Sequence, residues 1–269
     1  MSTIFWNNLR GLRWPMAMTA VPLFGLGILI AASYESFGSG TLQDFWEEMP
    51  RALSAFLKTE GSLIAASGPS GYIAVGFRHP IFLIVLPAFS IATASNAAAR
   101  EVEHRTILIL LSRPVRRYQL IVGRALGSSL SLALLVASLL AGTFIGVGIQ
   151  GLTGTVQVGP FLLISFNAFC LAMAVLGYSY LLSALCSFGG RTILLCTGLT
   201  VAFFLVDFIS GLFEALEPLG LVTIYHYYDP MTLAIDPAFP FLHVAVLLAT
   251  AAATLVAAIV VFQRRDIAA

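Results

Sequence analysis

The sequence predicts an all-α integral membrane protein with six transmembrane helices. Two observations carry this prediction. Of the 269 residues, 59% are hydrophobic and only 10% are charged, which excludes a soluble domain with one large core. Six apolar runs are long enough to cross a bilayer, which takes about 20 helical residues. The formal net charge is only +1, so no overall basic field indicates a nucleic-acid partner.

The six apolar runs fall within a single transmembrane domain that covers residues 1–269. We predict spans at about residues 16–33, 81–98, 126–149, 160–186, 192–213 and 241–262. Before the first span, three apolar residues recur at helical spacing beside two arginines, which predicts an interfacial helix over residues 3–14. In the sixth span, Ala249, Ala253 and Ala257 form a small-residue face suited to close helix packing.

Two long segments lie on the predicted outer side of the membrane. In the first, apolar side chains between Leu42 and Leu57 mark one face of an amphipathic helix that lies along the membrane surface. Pro50 either kinks this helix or starts a second one. The glycine- and serine-rich residues 60–76 predict a loop. The second segment, residues 214–239, has the tyrosine and proline content of an interfacial aromatic belt.

The basic residues indicate the orientation of the chain. Of the 14 lysine and arginine residues, 11 fall on the side that holds both termini, and cytoplasmic loops carry such an excess. Only Arg51, Lys58 and Arg78 lie on the other side. We therefore expect cytoplasmic N and C termini.

The most charged stretch is the cytoplasmic segment between the second and third spans. It carries six arginines against two glutamates. Within it, the apolar block from Ile107 to Leu111 is far too short to cross a bilayer. On a helix this block presents one apolar face, so we expect a short cytoplasmic helix that docks against the bilayer edge or a partner protein.

The sequence contains no phosphate-binding loop of the Gly-x-x-x-x-Gly-Lys-Ser/Thr type. Lys58 is its only lysine, so this chain does not bind and hydrolyse ATP by that route. Its three cysteines lie in or at the ends of apolar spans without accompanying histidines. We therefore expect buried apolar cysteines, with no disulfide framework and no metal site.

One short motif resembles that of an enzyme. Residues Gly68 to Gly71 match the Gly-x-Ser-Gly pattern of rhomboid intramembrane proteases, with Ser70 as nucleophile and His243 in the sixth span as base. This interpretation requires the two side chains within hydrogen-bond reach in a water-filled cleft. Ser70, however, precedes the second span, whereas the rhomboid serine begins a later helix. A plain loop is the simpler interpretation, and the serine hydrolase stays an alternative.

The cytoplasmic segment carries a second resemblance, in the order of its motifs. Acidic residues are followed by a threonine and isoleucine, a leucine-rich turn, Ser-Arg-Pro-Val, further arginines and a Gly-Arg pair. This order resembles the permease subunits of type-2 ATP-binding-cassette exporters. The interfacial helix, the six spans and the closing Arg-Arg-Asp extend the resemblance over essentially the whole chain. The matching residues are Glu101, Glu103, Thr106, Ile107, Leu110 to Val115, Arg116, Arg117, Gly123 and Arg124.

The resemblance implies a permease that pairs with a second copy or a related chain and sits on two copies of a separate ATPase. That ATPase would bind ATP and magnesium, so this chain needs no cofactor of its own. The loop 99–117 would hold the coupling helix, in the plasma (inner) membrane of a prokaryote. Arg105 departs from the family pattern, which usually has glycine there. The expected ATPase contacts are Glu101, Glu103, Arg105, Thr106, Ile107, Leu110 and Arg113.

Asp207, near the outer end of the fifth span, is the one acidic residue among apolar neighbours. A carboxylate inside the membrane is by default a functional candidate, so Asp207 is a candidate residue of the translocation path. Its place near the interface also allows it to reach water or to pair with an outer-loop group. The sequence selects no substrate, and a non-transporting membrane scaffold remains a third interpretation beside the transporter and the hydrolase.

Overall fold

The computed structural model describes residues 2–37, 50–58, 64, 67–96 and 117–265. Throughout these ranges the chain is helical and contains no β-strand, which confirms the all-α prediction. Eleven α-helices occur in these ranges: α1 Ser2–Ala32, α2 Tyr34–Phe37, α3 Arg51–Leu57, α4 Gly68–Gly76, α5 Pro80–Ser95, α6 Arg117–Ile149, α7 Val158–Leu185, α8 Gly189–Leu212, α9 Glu217–Gly220, α10 Pro230–Ile235 and α11 Phe241–Arg264.

Five of the described helices, α1, α6, α7, α8 and α11, are long and apolar enough to cross a membrane. A sixth crossing is formed if α4 and α5 are counted together, because they meet at an angle of 42° across a short break. The five helices overlap the predicted spans, and α5 overlaps the remaining one. The chain is thus a multi-pass membrane protein, and its described residues form five or six candidate spans.

One sequence-based boundary is refined and another was wrong. α1 continues through Pro15, so residues 3–14 and the first span belong to one continuous helix. Membrane helices tolerate proline because neighbouring groups satisfy the freed backbone carbonyl. The predicted loop at residues 60–76 is helical from Gly68 onward. Pro69 at the start of α4 has a backbone angle already suited to a helix, and buried Ile73 and Ala74 anchor the helix in the core.

α1 lies along α6, and glycines let the two backbones touch. A β-carbon on Gly27 would lie 2.5 Å from the backbone oxygen of Leu139, and one on Gly142 would lie 2.9 Å from the carbonyl carbon of Phe24. Without glycine at these positions the helices could not approach so closely. Close backbone packing at these glycines is therefore part of the contact, beside the buried leucines of both helices.

α7 is the central helix, and it contacts α5, α6, α8, α10 and α11. Its partner α11 approaches at Gly177, where a β-carbon would lie 2.8 Å from the backbone oxygen of Ala251. Ala251 is buried, whereas the predicted packing residues Ala249 and Ala253 are exposed. The contact of α11 with α7 therefore uses Ala251, and close packing on the face of Ala249, Ala253 and Ala257 stays a prediction.

The predicted cytoplasmic ends of the helices are joined by side-chain hydrogen bonds. Arg265 donates to the backbone oxygens of Ala184 (2.8 Å) and Cys186 (2.7 Å). It thereby satisfies carbonyls at the C-terminus of α7, which have no partner within that helix. Asn8 of α1 donates to the backbone oxygen of Arg124 in α6 at 3.0 Å. These contacts fix the ends of α1, α6, α7 and α11 relative to one another.

Candidate functional site

Of the residues that the sequence predicts for the transporter, only Asp207 belongs to the described part of the chain; Ser70 and His243 of the alternative hydrolase site are also described. The seven expected ATPase contacts lie outside the described residues; they are Glu101, Glu103, Arg105, Thr106, Ile107, Leu110 and Arg113. The site that the structure does show is therefore at the predicted outer end of the bundle, around Asp207.

Asp207 is located in α8, five residues before its end at Leu212, which places it about 8 Å below the end of the helix at 1.5 Å per residue. Its residue surface is 4% exposed. A buried carboxylate needs a compensating cation or several hydrogen bonds, since desolvation of an ion is costly. Asp207 has two cations: Lys58 Nζ lies 2.9 Å from Oδ1, and Arg78 Nη2 lies 3.9 Å from Oδ2.

Lys58 reaches Asp207 from the end of α3. It is the C-cap of that helix and has a left-handed backbone, with φ 57° and ψ 32°. Residues other than glycine seldom adopt this conformation, which costs of order 1 kcal/mol. The turn lets Nζ donate to Asp207 and also to the backbone oxygen of Tyr225 at 2.7 Å. These two hydrogen bonds offset the strain and hold α3 against α8.

Arg78 occupies the break between α4 and α5 and is 2% exposed. Its Nη1 donates to the backbone oxygen of Tyr228 at 3.1 Å, and the Tyr228 hydroxyl donates back to the backbone oxygen of Phe77 at 2.7 Å. The guanidinium carbon lies 5.6 Å from the centre of the Phe56 ring, a favourable cation–π distance. Arg78 thus supports the bend between α4 and α5 and packs beneath α3.

Lys58, Arg78, Asp207, Tyr225 and Tyr228 together form what we call the outer cluster. It joins α3, the α4–α5 break, α8 and the connection that precedes α10. Burial and, to a smaller extent, the Arg78 cation lower the pKa of Lys58 to about 8, while Asp207 opposes the change. Burial and the charge of Asp207 raise the pKa of Tyr225. With one carboxylate facing two cations, the cluster requires Asp207 for its charge balance.

A cavity of about 760 Å³ opens beside the outer cluster. We call it the outer cavity. Most of its lining residues are polar, and they come from α3, α8, α9, α10, the start of α11 and the connection before α10. The polar lining residues are Ser54, Lys58, Asp207, Ser210, Glu217, His226, Asp229, Thr232, Asp236 and His243. Partial burial and the Lys58 cation lower the pKa of His226, while the carboxylates of Asp207 and Asp229 oppose the change.

A second cavity, of about 480 Å³, lies between α5 and α8. We call it the apolar groove. Leu83, Pro87 and Ile91 line one side, and Val201 and Phe204 line the other. The polar Thr200 at its base is satisfied, because its hydroxyl donates to the backbone oxygen of Cys196 at 2.7 Å and contacts the Tyr178 hydroxyl. The groove therefore offers an apolar surface to whatever enters it.

The geometry gives no support to the hydrolase interpretation. His243 lines the outer cavity, and its ring packs edge-on against Tyr227 with the ring centres 5.8 Å apart. Ser70 lies in α4, and the structure records no hydrogen bond between Ser70 and His243. Among the described residues, no group of three or more histidine, cysteine, aspartate or glutamate side chains is arranged to hold a metal ion.

Sequence reasoning anticipated a partner for Asp207 from an outer loop but did not identify it. Lys58 and Arg78 are separated from Asp207 by 149 and 129 positions, so no local pattern connects them. The sequence contains one indication of these partners, in the distribution of its basic residues. Only three basic residues lie on the predicted outer side, against the positive-inside tendency, and two of these three are the partners of the buried carboxylate.

Comparison with known proteins gives one family match. The model of a family described as ABC-2 family transporter protein matches residues 23–267, which is most of the chain and includes α5 to α11. A search of curated proteins finds no sequence match.

Proposed function

Because this chain belongs to the ABC-2 family of transporter proteins, we propose that it is the permease of an ATP-binding-cassette exporter that a separate ATPase drives. The family match over residues 23–267 carries this proposal. The arrangement of five or six apolar helices supports it, since a permease needs a membrane-embedded bundle. The sequence also lacks a phosphate-binding loop, so the energy for transport has to come from a partner.

The proposed assembly contains two permease chains, identical or related, and two copies of the ATPase. ATP and magnesium bind to the ATPase subunits, and the permease holds no cofactor. The complex resides in the plasma membrane of a prokaryote with the arginine-rich segment in the cytoplasm. The excess of basic residues on that side supports this orientation.

The ATPase contact is assigned to a coupling helix within residues 99–117. A transporter without its own nucleotide site receives work through a mechanical contact with the ATPase. Ile107 and Leu110 supply an apolar face for packing, while Glu103 and Arg105 supply charges of opposite sign that orient the helix in a groove of the ATPase. Glu101, Thr106 and Arg113 complete the contact.

The first test reverses both charges of this contact in one variant, Glu103→Arg with Arg105→Glu. The permease is co-expressed with the ATPase encoded beside it, and the complex is purified through a tag on the permease. We expect the amount of co-purified ATPase to fall about tenfold, the loss expected when about 1.4 kcal/mol of binding is removed. ATPase activity stimulated by transport should fall in parallel.

A matched control reverses one arginine and one glutamate on the opposite side, Arg51→Glu with Glu214→Arg. Arg51 and Glu214 are exposed, so this variant should bind the ATPase as the natural chain does. Unchanged co-purification and unchanged stimulated activity in the Glu103 and Arg105 variant would contradict the assignment of the coupling helix. Failure of the natural chain to bind any ATPase would contradict the transporter itself and favour a membrane scaffold.

A further inference from the structure

The outer cavity and the apolar groove lie side by side, and the same three elements form the wall between them. Each element presents a small or polar side chain to the outer cavity and an aromatic side chain to the groove. The pairs are Ala55 and Phe56 in α3, Asp207 and Phe208 in α8, and His226 and Tyr225 in the connection before α10. The wall is therefore only one layer of residues thick and has two different faces.

Both cavities have the size of small-molecule sites. Their volumes of about 760 and 480 Å³ fall in the range of roughly 300–1,000 Å³ that is usual for such pockets. The groove opens sideways from the bundle, because Ile84 and Leu205 at its edges are 65% and 47% exposed. Apolar side chains exposed within a membrane-spanning bundle contact hydrocarbon or another helix, and an apolar chain that reaches them from the bilayer enters the groove without crossing water.

The charges of the outer cavity indicate which headgroup a molecule with an apolar chain in the groove would carry. Among the described residues, Lys58 is the one lysine or arginine that lines it, and its ammonium group is paired with Asp207. Glu217, Asp229 and Asp236 add three more carboxylates to the lining. A positively charged group is attracted to this surface, and an anionic group is repelled.

The wall is closed by aromatic contacts and by the outer cluster. The Phe204 ring lies between the rings of Phe56 and Tyr225, at centre-to-centre distances of 6.2 and 5.6 Å. Lys58 ties this layer to the outer cluster, since it donates both to Asp207 and to the Tyr225 backbone. A molecule that passes from the groove to the outer cavity must separate these contacts.

We propose that the groove and the outer cavity are consecutive binding sites for a cationic amphiphile, a molecule with one apolar tail and an ammonium head. The tail enters the groove from the bilayer, and the head reaches the outer cavity when the wall opens. This inference rests on the proposed transport function, because it identifies the class of cargo. It is tested by binding alone, so that its failure is distinct from a failure to assemble with the ATPase.

The test uses the full chain in phosphatidylcholine nanodiscs without ATPase or nucleotide. Two photoreactive probes carry a diazirine at the end of a dodecyl tail: one has a trimethylammonium head and the other a sulfate head. After irradiation, labelled peptides are mapped by mass spectrometry. We expect labelling of residues 80–95 and 189–212 by the cationic probe at least about fivefold above the anionic probe, given attraction by several incompletely screened carboxylates.

Paired variants locate the two ends of the probe. Ala88→Trp fills the groove, in whose lining Ala88 stands exposed, and Thr197→Phe fills it from the opposite helix. Each should lower the labelling about fivefold or more by occupying the space of the tail. Ala253→Trp, at an exposed position of α11 outside the groove, is the matched control and should label as the natural chain does.

The head is tested by Glu217→Gln combined with Asp236→Asn, two exposed carboxylates of the outer cavity. This variant should keep the tail labelling and lose most of the preference for the cationic probe. Glu214→Gln, exposed nearby but outside the lining, should keep the preference. Equal labelling by both probes in the natural chain, labelling that persists in both groove-filling variants, or a preference unaffected by the double substitution would each overturn the proposal.

Discussion

Replacement of Asp207 should destabilise the protein far more than replacement of Lys58. Asp207→Asn keeps the shape of the side chain but removes the one negative charge of the outer cluster. Lys58 and Arg78 then lose the one carboxylate with which they form ion pairs, and only the charge of Asp229 beyond ion-pair distance still opposes theirs. Removal of one partner from a buried ion pair costs about 3–5 kcal/mol. We expect the lower end, about 3 kcal/mol, because the Lys58 side chain is 18% exposed and can lose its proton.

Lys58→Met changes the charges of the outer cluster in a different way. Asp207 keeps Arg78 as its counterion, and their charges still cancel. The pKa of Lys58, lowered from 10.5 to about 8 by burial, shows that the charged amine is itself unfavourable by about 3 kcal/mol at 1.36 kcal/mol per pKa unit. A methionine carries no charge to desolvate, and it keeps most of the apolar packing of the lysine side chain. The net destabilisation should therefore be about 1 kcal/mol or less.

The assay is unfolding in mixed micelles of increasing dodecyl sulfate content, followed by far-ultraviolet circular dichroism and tryptophan fluorescence. Asp236→Asn serves as control, since this exposed carboxylate of the outer cavity has no ion pair among the described residues. It should change the free energy of unfolding by no more than about 0.5 kcal/mol. Equal losses for Asp207→Asn and Lys58→Met, or a larger loss for Lys58→Met, would refute the charge balance that we derive for the outer cluster.

Two further predictions concern pH and helix packing. The pKa of Lys58 is about 8 in the folded chain and 10.5 in the unfolded chain. Between these two pH values the unfolded chain therefore binds more protons at Lys58 than the folded chain does. The free energy of unfolding should then increase as pH rises from about 8 to 10.5. Measured across that pH range, the free energy of unfolding should show this increase in the natural chain and not in Lys58→Met. Parallel pH profiles of the two proteins would contradict the prediction. Gly142→Ala places a methyl group against the backbone of α1 and should cost about 3 kcal/mol by overpacking, measured by the same unfolding assay. Gly148→Ala, in the same helix with nothing within 4 Å of the added carbon, should be neutral or slightly stabilising, and similar losses in both variants would contradict the close contact of α1 with α6.

The positions of the membrane spans were readable from the sequence because hydropathy is a sum along short windows. Hydropathy located the apolar runs that become α1, α5, α6, α7, α8 and α11, whereas the orientation that the basic residues indicate stays a prediction. Boundaries were less accurate. A proline such as Pro15 usually breaks a helix in a soluble protein, but α1 continues through it. The glycine-rich start of α4 has the composition of a loop, and the burial of its apolar second half in the core is what makes it helical.

The sequence by itself determined that this is an all-α membrane protein, and it carried enough motif order to indicate the transporter family that the comparison then showed. Only the tertiary structure decided that Asp207 is paired with Lys58 and Arg78, and that these residues stand between a polar cavity and an apolar groove. The physical reason is the range of the interactions. Hydropathy adds up over neighbours in the chain, whereas an ion pair depends on a distance of a few ångströms between residues more than a hundred positions apart.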